Sequence, residues 1–124
     1  MVMSKTVPAR VDLGFVRGDN MSRRIRVRDA VQGTYVDFSD YTNILAQVRK
    51  SPDGRSVLAT FTVAVYDNGP SDRGLSLSLS ATVTATLPPA AVWDLQLSSV
   101  SDGPRTWLSG RVVCDPDVSR PVTP

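Results

Sequence analysis

Leu75-Ser76-Leu77-Ser78-Leu79-Ser80 alternates apolar and hydroxyl side chains without a break. Successive side chains of an extended chain point to opposite faces, so the three leucines share one side and the three serines the other. A helix would scatter those leucines around its circumference, whereas a strand gathers them on one dry face. The same period of two recurs on either side. Val57, Ala59, Phe61, Val63 and Val65 form a longer row opposed by Leu58, Thr60, Thr62, Ala64 and Tyr66, which reads as one central strand. Ile44, Ala46 and Val48 make another row, as do Trp93, Leu95 and Leu97, and then Leu108, Gly110, Val112 and Cys114. Residues 11–16 and 22–28 read as two further strands joined through Arg17-Gly18-Asp19-Asn20.

Between the rows stand residues suited to turns. Ser51-Pro52-Asp53-Gly54 offers a proline of fixed φ followed by a glycine free to take positive φ, and Asp67-Asn68-Gly69-Pro70 and Ser101-Asp102-Gly103-Pro104 repeat the chemistry. No helical pattern of about 10–15 residues separates the strands, which favours an antiparallel sandwich over a βαβ arrangement. One short helix is expected at residues 80–86, capped by Ser80 and stopped by Pro88-Pro89. The expected fold is therefore all-β, an immunoglobulin-like antiparallel β-sandwich of about seven strands. The sandwich is assigned to residues 10–114, with extended arms at residues 1–9 and at the proline-rich residues 115–124.

Composition narrows the chemistry. The 124 residues correspond to about one domain and suffice for a core of their own. Histidine is absent, which excludes His-dependent triads, His-metal sites and imidazole bases. The single cysteine, Cys114, forms neither an internal disulfide nor a zinc cluster, and as the end of an inward row it reads as a small core hydrophobe. All 12 acidic residues are aspartate, and the missing glutamate further disfavours exposed helix. Most aspartates fall where turns need them, as Asp53, Asp67, Asp72 and Asp102 do, so paired-carboxylate catalysis and calcium binding are not expected. No hydroxyl has an evident activating base, so no enzymatic activity, cofactor or metal is expected. A net charge of +2 does not by itself indicate nucleic acid, and no stretch approaches the length needed to span a bilayer. Neither nucleic acid nor membrane is expected as a partner, and the chain is expected to be made in a cytoplasm.

The densest charge cluster is Arg23, Arg24, Arg26 and Arg28. Alternation puts Arg24, Arg26 and Arg28 on one face of a strand and Ile25 and Val27 on the other. Guanidiniums in a row suit a carboxylate-rich or phosphate-rich partner, or else guard an edge strand against aggregation. Trp93 shares the phase of Leu95 and Leu97 and is expected in the core, while Trp107 is out of phase with Leu108 and is the tryptophan expected to face a ligand or another chain. Pro116, Val118 and Arg120 of the terminal arm complete the candidate contact residues.

The order of segments resembles a small β-sandwich domain of tail, collar, baseplate and fibre-attachment proteins of tailed bacteriophages. The series comprises Arg17-Gly18-Asp19, Arg28-Asp29, Val36-Asp37-Phe38-Ser39 and residues 46–54 running into Leu58-Ala59-Thr60-Phe61. It continues with residues 75–80, Thr84-Ala85, Leu87, Val92-Trp93-Asp94-Leu95-Gln96 and Gly110-Arg111-Val112, spanning roughly residues 13 to 120. The resemblance implies a virion structural protein that assembles with itself, as a ring or trimer, and with other virion proteins. A standalone component is expected, in place of a fibre with a receptor-binding shaft after the sandwich. A capsid decoration protein is an alternative within the same class, and a carbohydrate-binding module using exposed tryptophans is one from another.

Overall fold

The computed structural model describes residues 9–28, 33–99 and 103–115. The leucine row is buried, with Leu75 and Leu77 fully inaccessible, on strand β7 (Arg73–Leu79), and its serines point away. β7 is the middle of a three-stranded antiparallel sheet, flanked by β3 (Met21–Ile25) and β6 (Thr62–Asp67). The second sheet holds β4 (Thr42–Arg49), β5 (Val57–Thr60), β8 (Ala90–Ser99) and β9 (Gly103–Asp115). β8 and β9 are its centre, β4 and then β5 extend it on one side, and β1 (Ala9–Arg10) and β2 (Leu13–Val16) run parallel to β9 on the other. The sheets face each other across one core drawn from the inward rows, including Ala46, Val48, Trp93, Leu95, Leu97, Leu108 and Val112. The chain is thus an all-β sandwich.

One expected strand divides in two. The row from Val57 to Val65 is not central: it breaks at Phe61, and β5 and β6 lie at the edges of opposite sheets. Phe61 is the crossing point, its ring against Trp93 at 5.9 Å and its N–H donating to the Ala46 carbonyl. Alternation alone does not reveal such a switch, because the inward phase persists through Ala59 and Phe61 while the hydrogen-bonding partner changes. Nine strands result among the described residues, counting β1 and β2 separately. Paired strand begins at Ala9 and runs to Asp115, one residue beyond the expected sandwich at each end.

β1 and β2 are separated by a step at Val11 and Asp12 whose cause lies across the sheet. Gly110 stands opposite Trp93 in the β8–β9 register. A Cβ on Gly110 would sit 1.9 Å from the Val11 carbonyl oxygen, so only glycine lets the N-terminal chain come this close. That same carbonyl accepts a 2.7 Å hydrogen bond from the Trp93 indole N–H, which satisfies the one polar atom of a side chain only 2% exposed. Asp12 Oδ1 then takes the Arg111 backbone N–H at 2.9 Å, replacing the carbonyl that an unbroken strand would supply. This N–H, and secondarily Arg10, holds the Asp12 carboxyl below the usual carboxylate range.

The expected turns at 51–54 and 67–70 and the expected helix are present, while Ser101 and Asp102 of the third expected turn lie outside the described residues. Gly54 N–H closes the 51–54 turn onto Ser51, although Gly54 keeps negative φ; Gly69 and Gly103 do take positive φ. Helix α1 (Ala81–Thr84) follows Ser80, whose hydroxyl accepts from the Val83 N–H. Thr84, fully buried, joins this helix to the β2–β3 turn: its hydroxyl accepts from Gly18 N–H and donates to the Asp19 carbonyl. Phe38, in a 3-10 turn at Phe38–Asp40, is part of the buried core. Asp37 caps that turn through the Ser39 hydroxyl and N–H, and those bonds lower its pKa.

Candidate protein-interaction surface

Arg24, Arg26 and Arg28 are exposed while Ile25 and Val27 are buried, as alternation requires. Regular pairing with β7 ends at Ile25, but the alternation continues because Val27 accepts from Val36 N–H and Arg28 forms a bridge with Tyr35. Gly74 allows this departure, since a Cβ there would sit 2.1 Å from the Ile25 carbonyl oxygen. Two tyrosines interleave with the arginines. The Arg24 guanidinium lies 4.7 Å from the Tyr66 ring centre, and those of Arg26 and Arg28 lie 5.2 and 5.6 Å from that of Tyr35. These are cation–π distances, and they hold the positive groups against the rings on the outer face of the small sheet. Arg73 donates to the Tyr35 carbonyl at 2.7 Å, and the Asp72 carboxylate lies 3.8 Å from Arg26.

Arg23 does not join this stripe. Its guanidinium donates to the Gly14 carbonyl at 2.6 Å and to that of Ser22, tying the β3 edge of one sheet to β2 of the other. Trp107 is half-buried at the end of the sandwich. It stacks edge-on against Tyr41 and Phe38, with ring centres 5.0 and 5.7 Å away. Its phase follows from a slip in register: Leu95 faces Leu108 while Gln96 faces Thr106, which leaves Trp107 as the extra residue. Pro116, Val118 and Arg120 lie outside the described residues, as do the two arms apart from Ala9 and Asp115.

A second polar surface covers the outer face of the large sheet. Gln47, Asp94 and Ser109 stand side by side on β4, β8 and β9, and Arg49, Val92 and Arg111 form the next cross-strand row. Together with Arg10 they line an open cleft of about 380 Å³. Arg49 is committed within the chain, donating to Gln47 Oε1 and to the carbonyls of Gly54 and Arg55, and so it fastens the 51–55 turn to the sheet. Partial burial pushes the Asp94 carboxyl up, while Arg49 and Gln96 pull in the opposite direction. Nothing in the sequence joins these residues, since Arg49, Asp94 and Arg111 belong to three strands whose pairing only the fold supplies. The partnering of Tyr35 and Tyr66 with arginines was hidden for the same reason, although alternation does put Tyr66 on an outer row.

No protein-family model matches the chain, and no curated protein matches it as a relative.

Proposed function

We propose that the chain is a structural component of a tailed-bacteriophage particle, at the tail, collar or baseplate, and that it works by protein–protein assembly. The observation that carries the assembly reading is the outer face of the small sheet, where three exposed arginines are laid over two tyrosines, with Asp72 as the one carboxylate paired to them among the described residues. Arginine and tyrosine are the residues enriched in the energetic centres of protein interfaces, because they bring large rigid contact area together with directional donors. Guanidiniums already held against aromatic rings lose less freedom when an acidic surface docks. The location in a phage rests on the ordered series of segments given above. The strand order supports the immunoglobulin-like reading: three strands face a larger sheet, and the first strand runs parallel to the last. A capsid decoration protein would use the same face. The structure offers the carbohydrate alternative no exposed tryptophan platform, since Trp93 is buried and Trp107 is flanked by Phe38 and Tyr41.

The test is incorporation. A tagged chain supplied during infection by the phage that encodes it is expected in purified particles, detected by mass spectrometry. The triple variant Arg24→Glu, Arg26→Glu, Arg28→Glu is expected to keep the circular dichroism of the parent and to be depleted from particles. Absence of the parent chain from particles overturns the virion reading, and normal incorporation of the triple variant reduces the stripe to an edge guard.

A further inference from the structure

Each sheet has two edges, and three of the four carry a device that discourages further pairing. β3 carries Arg23 and Arg24, and the first of these is bonded across to Gly14. β1 and β2 are broken by the step at Val11 and Asp12, with the Arg10–Asp12 pair beside it. β5 is four residues long. Among the described residues the fourth edge, β6, has no such protection before Asp67 at its end. Thr62-Val63-Ala64-Val65-Tyr66 is an uninterrupted strand without charge, proline or glycine, composed mainly of β-branched and aromatic residues. Its core side is incompletely covered: Val63 and Val65 stand beside Leu77 and Leu75 in the register, yet Val65 is 41% exposed.

From this we infer that β6 pairs antiparallel with β6 of a second copy of the chain, joining two small sheets into one six-stranded sheet. The choice of partner comes from the strand's own symmetry. Read from Ala64 in either direction, the sequence runs valine and then a polar-tipped residue, Thr62 one way and Tyr66 the other. A two-fold axis at Ala64 sets Val63 of each copy against Val65 of the other, on the core side of both sheets. The same axis sets Thr62 against Tyr66 on the outer side. Residues of like parity meet, so both sheets keep their inner faces in common, as continuous pairing demands. No charged side chain lies within the paired stretch, because Asp67 follows it and Arg73 is on β7. The inference concerns the isolated chain and does not depend on where the protein is used.

Light scattering of the full chain over a wide concentration range is expected to show a reversible monomer–dimer equilibrium. Val65→Lys alters an already exposed position and appears twice in the symmetric contact, so it is expected to weaken the dimer by at least about tenfold. Its tryptophan fluorescence should stay that of the parent. Ala64→Cys places two thiols across the axis at the spacing of directly opposed strand residues, and mild oxidation is expected to yield a covalent dimer. Thr82→Cys, exposed on α1, is expected to yield none, and native Cys114 is buried. The Ala64→Cys cross-link remains a reading of the register if Val65→Lys does not fold. A monomer at every concentration, a dimer unaffected by Val65→Lys, or Ala64→Cys that cross-links no better than Thr82→Cys would each overturn the inference.

Discussion

Gly110 shows how one missing methyl group organises a strand edge. The Val11 carbonyl occupies the space where its Cβ would be, and both the Trp93 indole and the Asp12 carboxylate are arranged around that close approach. Gly110→Ala is therefore expected to destabilise the fold by about 2–4 kcal/mol or to push β1 off β9, read by urea denaturation and tryptophan fluorescence. Gly14→Ala is the control: its Cβ would meet nothing closer than Val113 O at 4.0 Å, so its effect should stay within about 0.5 kcal/mol. Asp94 gives a prediction in pH. Its folded-state pKa is raised, chiefly by burial, so the folded chain holds that proton more tightly than the unfolded chain does. The group therefore lowers stability as pH climbs from the ordinary aspartate value through the raised one, and the deficit persists above that window. Asp94→Asn is expected to gain relative to the parent between about pH 4 and neutrality, in urea unfolding measured across pH. A difference that stays flat with pH would show that Arg49 and Gln96 fully offset the burial.

At the scale of elements, α1 is too short to persist alone and is held from both ends. Ser80 caps its start, and Thr84 clamps its last turn to the β2–β3 connection through Gly18 and Asp19. Thr84→Val keeps the shape but leaves the Gly18 N–H and the Asp19 carbonyl without this partner. The expected loss is about 2–3 kcal/mol in denaturant midpoint analysis, with the slope unchanged. The Ser80 cap and the Pro88-Pro89 stop are legible in the sequence because their chemistry is local. The role of Thr84 is not, because its two partners lie more than 60 positions away. The division at Phe61 is similar: β5 and β6 share one alternating row, and only their pairing with β4 and with β7 distinguishes them.

For the whole molecule, the arginine stripe lies on a face that the core does not need. Among the described residues, reversing Arg24, Arg26 and Arg28 removes three cation–π contacts and one long, exposed ion pair, so the stability change should stay within about 2 kcal/mol. A cooperative thermal transition retained by the triple variant would confirm that its loss from particles reflects the surface. The stripe and the β6 edge lie on the same small sheet, on its outer face and along its free side. A dimer through β6 would place two such stripes on one continuous sheet, doubling the basic face offered to a partner.

The sequence by itself determined that the chain is built of extended segments, that the leucines of residues 75–79 lie on a dry side, where the turns at 51–54 and 67–70 fall, and that Arg24, Arg26 and Arg28 share a wet face. All of these follow from the alternation of side chains and from the φ preferences of glycine and proline, which act over a few residues. Only the tertiary structure decided that the row from Val57 to Val65 spans two sheets, that Arg23 ties β3 to β2, and that Trp107 joins Phe38 and Tyr41. It likewise decided that Tyr35 and Tyr66 lie under the arginines and that Arg49, Asp94 and Arg111 share one face. The physical reason is register: which residue stands beside which across a ladder depends on the packing of the whole core, and a period of two repeats identically for every pairing open to the strands.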